Sequence, residues 1–169
     1  IESIGEAKII AEDLGIVVQS VRDLMAETGW PGMKIMQFAF DGKNMNSNLP
    51  HCYTNSNVLV YGGTHDNETL AGFFGNIEEE EMEYTYKYLN VSSKEEVPNA
   101  IIRSAYASVA DVAIMQMQDI LGLDNSARMN LPSTVGRSFW LITACNTADN
   151  WIQICCCWEA GKVSKIRSI

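Results

Sequence analysis

Apolar and polar positions fall in blocks along this chain, and the blocks predict strands and helices in turn. Residues 8–11, Lys-Ile-Ile-Ala, make a short apolar run that ends at Glu12-Asp13 and turns at Gly15, which reads as a strand. Over 17–27, Val17, Val18, Val21, Leu24 and Met25 recur at helical spacing. That predicts an amphipathic helix, stopped by Gly29 and Pro31-Gly32. Residues 33–40 are nearly all apolar and read as the next buried strand, with Asp41-Gly42 turning the chain outward. The stretch 43–57 is polar and holds five asparagines, so it predicts a long loop. Long loops at strand ends in α/β enzymes are often binding loops. Residues 58–61, Val-Leu-Val-Tyr, then climb into Gly62-Gly63 and end in Thr64-His65-Asp66-Asn67. A buried parallel strand delivers chemistry at its carboxyl end in this way.

The second half reads as helices with one further strand. Residues 70–74 lead away from the glycines, and the acidic run Glu78 to Glu81 with Glu83 opens a helix carrying Met82, Tyr84, Tyr86 and Leu89. Four consecutive glutamates cannot share one face of a helix, so they read as a solvated helix start. Ser92 or Ser93, with glutamate three residues on, has the form of a capping box, and Pro98 suits a first helical turn. An alanine-rich helical pattern runs over 101–117 and gives way to a short strand near 114–121, broken by Gly122. A polar loop over 125–130 closes at Pro132. Strands alternating with helices in this order predict a parallel α/β unit.

Composition narrows the partners. The 169 residues suffice for one domain with a hydrophobic core, and 47% hydrophobic content excludes a disordered chain. A net charge of -9 disfavours nucleic acid and anionic membranes. There is no apolar run long enough for a transmembrane helix, and Ile1-Glu2-Ser3-Ile4 is no signal peptide. The chain opens without Met, which reads as a fragment. Cys52 stands alone, while Cys145, Cys155, Cys156 and Cys157 lack the spacing of a zinc or redox site. An odd count of free thiols fits a reducing, cytoplasmic compartment. No metal and no cofactor is expected.

Two strand tips carry carboxylates, Glu12-Asp13 and Asp66. Paired carboxylates at a strand-end site point to glycoside transfer or hydrolysis. We expect Glu12 and Asp66 on the same carboxyl-end face of neighbouring parallel strands.

Six blocks then resemble the 4-alpha-glucanotransferases (amylomaltase, or disproportionating enzyme), in that family's order. They are Ile9-Ile10-Ala11-Glu12-Asp13-Leu14-Gly15; Pro31-Gly32-Met33-Lys34 leading to Gln37-Phe38-Ala39-Phe40; and Leu49-Pro50-His51 with Tyr53. Thr64-His65-Asp66-Asn67-Glu68-Thr69, Gln118-Asp119-Ile120-Leu121-Gly122-Leu123 and Ala127-Arg128-Met129-Asn130 complete the series. The resemblance implies the carboxyl-terminal part of a (β/α)8 TIM barrel over 1–135. It also implies transfer of α-1,4-glucan segments between donor and acceptor with retention, and α-1,4-glucans and maltooligosaccharides as partners.

By the same resemblance, Glu12 matches the general acid/base and Asp66 the carboxylate that binds donor hydroxyls and supports the transition state. The family's nucleophilic aspartate belongs to a segment like R-x-D-H, which these residues do not contain, so the fragment is expected to be inactive alone. A glycosidic oxygen leaves badly unless protonated, so Glu12 must donate a proton and later take one from the acceptor hydroxyl. Candidate substrate-binding residues are His65, His51, Tyr53, Asp13 and Asn67. His65 either donates to a sugar hydroxyl, positions Asp66 or simply holds the turn. Asp13 either anchors the strand end or touches substrate, and Asn67 orders the Asp66 loop more than it touches glucan. His51 and Tyr53 either line the acceptor side or fold their loop. Arg128 is expected to tether its loop to a carboxylate such as Asp119. Residues 136–169 match nothing in the family and read as a diverged or artefactual tail. The open edges of a partial sheet invite self-association. The alternative reading is an inactive glucan-binding or structural fragment. An unrelated α/β-hydrolase is excluded for want of a G-x-S-x-G elbow.

Overall fold

The computed structural model describes residues 9–15, 17–128 and 130–134. Three parallel strands form one sheet: β1 (Gly32–Ile35), β2 (Val58–Tyr61) and β3 (Val112–Ile114), in spatial order β1-β2-β3. Gly32 pairs with Val58 and Ile35 with Tyr61, while Leu59 pairs with Val112 and Tyr61 with Ile114. Helix α1 (Gln19–Thr28) precedes β1, and α2 (Leu70–Asn76), α3 (Glu79–Leu89) and α4 (Val97–Tyr106) connect β2 to β3. The short α5 (Met117–Ile120) follows β3. Among the described residues no helix is long and apolar enough to cross a membrane.

The core lies between the sheet and the helices of the second crossover. Met36, Phe40, Leu49, Val60, Leu70, Phe74, Met82, Val97 and Ile101 form one buried cluster. Phe40 meets Phe74 and Tyr88 edge-on at centroid separations of 5.7 and 5.6 Å, a favoured aromatic geometry.

Local chemistry sets most boundaries. Gly29 takes the left-handed conformation after α1, at φ 67°, and its N–H closes on the Met25 carbonyl. The Thr69 hydroxyl caps α2 by accepting from the Gly72 N–H at 3.1 Å. Ser93 and Glu96 make a reciprocal capping box in a 3-10 turn that runs into α4, with Pro98 in the first turn of that helix.

Three expected elements differ. The run 33–40 is a strand only to Ile35; Met36–Phe38 is a 3-10 turn. A continuous apolar run is equally compatible with a strand and a buried turn, and here Met36, Ala39 and Phe40 are all buried. Helix α4 ends at Tyr106, well short of 117, and the strand begins at Val112. Alanine-rich sequence favours continued helix, but the exposed edge of β2 offers backbone partners. The Asp111 N–H donates to the Ser56 carbonyl at 2.8 Å as the pairing starts. Tertiary pairing thus overrides local propensity. Residues 9–11 form no strand. The Ala11 N–H donates to the Pro31 carbonyl at 2.9 Å, and the Met33 N–H is then taken by the Asp13 carboxylate at 2.7 Å, so no ladder propagates. Lys8, Met129 and the tail 136–169 lie outside the described residues.

Candidate active site

The turn that follows β2 is built from small and polar residues for definite reasons. A Cβ on Gly63 would sit 2.9 Å from Gln37 Nε2, so the backbone must be bare there for the neighbouring strand end to approach. The Thr64 N–H and hydroxyl both donate to Asn67 Oδ1, each at 2.8 Å. The Asn67 N–H returns to the Thr64 carbonyl at 3.0 Å. This closed turn lifts His65 and Asp66 to the surface, where their side chains are 69% and 52% exposed. His65 Nε2 lies 3.4 Å from Asp66 Oδ1. Asn130 Nδ2 donates to the same oxygen, and Arg128 Nη2 donates to the Asp66 main-chain carbonyl at 2.9 Å.

Both flanks of the turn are gripped from beneath. On the β1 side, the Gln37 N–H donates to the Gly62 carbonyl at 3.1 Å and its Nε2 to the Glu68 carbonyl at 2.7 Å. On the β3 side, Gln116 Nε2 donates to the Gly63 and Thr64 carbonyls at 3.2 and 2.8 Å. Asp119 Oδ1 accepts from the Leu70 N–H, the first of α2, at 2.7 Å. Burial pushes the Asp119 carboxyl up to about 6, against the opposing effect of that hydrogen bond. Asn125 reaches back as well: its Oδ1 accepts from the Thr69 N–H at 3.3 Å and its Nδ2 donates to Glu68.

The remaining candidates are distributed more widely. Glu12 is exposed in the segment beside the start of β1. Because β1 lies between that segment and β2, Glu12 and Asp66 are not on neighbouring strands. The Asp13 carboxylate holds the Met33 backbone, and Gly32 makes room for it: a Cβ there would sit 2.6 Å from Asp13 Oδ2. His51 has both ring nitrogens engaged, Nδ1 with the Tyr88 hydroxyl at 2.9 Å and Nε2 with the Asn44 carbonyl at 3.1 Å. The Tyr53 hydroxyl donates to the Asn48 carbonyl at 3.1 Å, and burial raises its pKa. Both residues therefore tie the 43–57 loop together. Arg128 reaches Asp66 rather than Asp119, because Asp119 is committed to the start of α2.

Sequence reasoning missed Gln37 and Gln116 as parts of the site. Gln37 stood inside a matched block without a role, and otherwise the signal of each was polarity in apolar surroundings, Met36-Gln37-Phe38 and Met115-Gln116-Met117. Among the described residues no cluster of His, Cys, Asp and Glu could hold a metal ion. What the turn offers is an exposed carboxylate, an imidazole beside it and an amide behind it, a set suited to hydrogen-bonding a hydroxyl-rich ligand.

A family model described as 4-alpha-glucanotransferase matches residues 2–145. The chloroplastic/amyloplastic 4-alpha-glucanotransferase of Arabidopsis thaliana is 43% identical over 150 residues, covering 88% of this chain and 26% of that protein. A 4-alpha-glucanotransferase of Streptococcus pneumoniae is 44% identical over 144 residues, covering 84% of this chain and 28% of its own. The solved amylomaltase from Streptococcus agalactiae in complex with acarbose superposes with a TM-score of 0.74 at 41% identity, over 80% of this chain and 27% of that one. The chain thus spans about a quarter of the length of the curated relatives it matches.

Proposed function

The chain belongs to the 4-alpha-glucanotransferase family, and on that premise we propose that it supplies part of a glucan-transfer site whose substrates are α-1,4-glucans and maltooligosaccharides. The observation that carries this is the Asp66 turn. A half-exposed carboxylate stands at the carboxyl end of a parallel strand, with Asn130 and His65 against it and Arg128 on its main-chain carbonyl. The acarbose held by the Streptococcus agalactiae amylomaltase supports a glucan-type ligand. Three parallel strands in chain order support a place in a (β/α)8 barrel, whose sites lie at that end of the strands.

In this reading Asp66 accepts hydrogen bonds from donor-sugar hydroxyls. Those bonds strengthen as the ring flattens toward an oxocarbenium ion, which lowers the barrier rather than merely tightening binding. His65 orients Asp66 or contacts the same sugar. Glu12 protonates the leaving glycosidic oxygen, then removes the proton from the acceptor hydroxyl that attacks the glycosyl intermediate. The carboxylate nucleophile comes from an R-x-D-H segment, and these 169 residues contain none.

The test combines this chain with a separately expressed preceding half of a family barrel and supplies maltotriose. Longer maltodextrins should form in the mixture and not with this chain alone. Glu12→Gln should then lower turnover by about a hundredfold or more, since an amide cannot relay the proton. Asp66→Asn should cost a similar factor through lost transition-state stabilisation. Near-normal turnover in either variant removes that residue from its role.

A further inference from the structure

The Asp66 turn is a surface loop, yet its two ends are anchored by buried amides. Gln37 is 3% exposed and Gln116 8% exposed. A glutamine is costly to bury unless its amide is fully used. Each here does the same task from an opposite flank. Gln37 bridges the two ends of the turn, with its main-chain N–H on Gly62 and its side chain on Glu68. Gln116 reaches across from the end of β3 with one nitrogen shared between the Gly63 and Thr64 carbonyls. The bare backbone of Gly63 is what allows Gln37 to come this close. These carbonyls lie beyond the paired part of β2, where no neighbouring strand supplies their donors. Asp119 then fixes where the turn enters α2.

We propose that Gln37 and Gln116 are positioning residues for the transfer reaction, holding the Asp66 turn in one geometry from both sides without touching the substrate. This rests on the reading of Asp66 given above. A carboxylate that acts by hydrogen-bonding a distorting sugar must be placed to within a fraction of an ångström. A five-residue excursion at a glycine pair does not supply that rigidity by itself. Two side-chain amides rooted in adjacent strand ends do, because they transmit the stiffness of the sheet to the loop.

The variants are Gln37→Met and Gln116→Met, singly and together, which keep side-chain length and remove the donor. Two readouts are used. In the chain itself, amide hydrogen exchange over 62–70 should speed up by about tenfold in each single variant while α4 keeps its protection. In the chain combined with the preceding half of a family barrel, kcat should fall by about tenfold per single variant and about a hundredfold in the double. KM for maltotriose should stay within about threefold. A merely structural role would instead raise exchange in α4 as strongly as in the turn, and that result overturns the proposal. So does a double variant with wild-type kcat in an assembly where the wild type is active. An assembly in which the wild type itself makes no transfer product sinks the reading of Asp66 instead. The exchange measurement then decides the clamp by itself, and unchanged exchange over 62–70 refutes it.

Discussion

Asp119 shows how much a single buried group can weigh. It is the one carboxylate in the buried set of the described residues, with Oδ1 on the Leu70 N–H and Oδ2 buried without a hydrogen-bond partner. Burial disfavours its ionised form and lifts its pKa to about 6 from 3.8. An acid held above its unfolded value binds its proton more tightly when folded. Its contribution to stability is therefore fully present below about pH 4 and is lost as pH rises through about 6. The difference is worth roughly 2 to 3 kcal/mol across that window. Asp119→Asn removes the titration, so urea unfolding from pH 4 to 7 should show a flatter profile in the variant than in the wild type. An unchanged slope would mean that the carboxyl is solvated in solution. None of this could be read from Gln118-Asp119-Ile120 in the sequence, because burial is a property of the neighbours.

At the scale of elements, the chain's own signals and its tertiary contacts compete at identifiable places. Where a signal is a side chain bonding to nearby backbone, as in the Ser93–Glu96 capping box, it prevailed. Ser93→Ala should cost about 1 kcal/mol in thermal or urea unfolding, the usual worth of such a cap. Where the signal is only propensity, as in the alanine-rich stretch after Tyr106, pairing with β2 prevailed and made a strand. The start of α2 depends on a longer reach. Asn125 inserts over Gly72 to meet the Thr69 N–H, and a Cβ on Gly72 would collide with the Asn125 side-chain amide. Gly72→Ala must expel that side chain, and we expect a loss of about 1 to 3 kcal/mol in unfolding free energy. Alanine is intrinsically better than glycine in a helix, so an unchanged or raised stability would show that Asn125 has somewhere else to go.

For the whole molecule, the apolar groups left at the surface are informative. Val18, just before α1, and Leu24 within it are 54% and 52% exposed, and Val112 on β3 is 43% exposed. No residue of α1 is buried, although its sequence pattern is amphipathic. The described strand β3 also pairs along one side only. Unpaired edges and uncovered apolar faces favour association with another chain. We therefore expect the purified chain to self-associate with rising concentration in analytical ultracentrifugation, and the preceding half of a family barrel to suppress that association. A strictly monomeric chain at high concentration would contradict this.

The sequence by itself determined the α/β class, strand β2 to the residue, the stop at Gly29, the turn at Gly42, a capping box opening at Ser92 or Ser93 and the place of Asp66 at the end of a strand. These follow from short-range chemistry: β-branched residues in a pleat, glycine in the left-handed region, a hydroxyl bonding to the backbone three residues on. The six ordered motifs carried the family. The tertiary structure decided where β1 ends, where α4 yields to β3, that Asp13 holds Met33, and that Arg128 reaches Asp66 and leaves Asp119 to α2. It alone brought Gln37 and Gln116, far apart in the chain, to the two sides of one turn. Each of those outcomes depends on which distant backbone group lacks a partner, and a linear pattern of side chains does not record that.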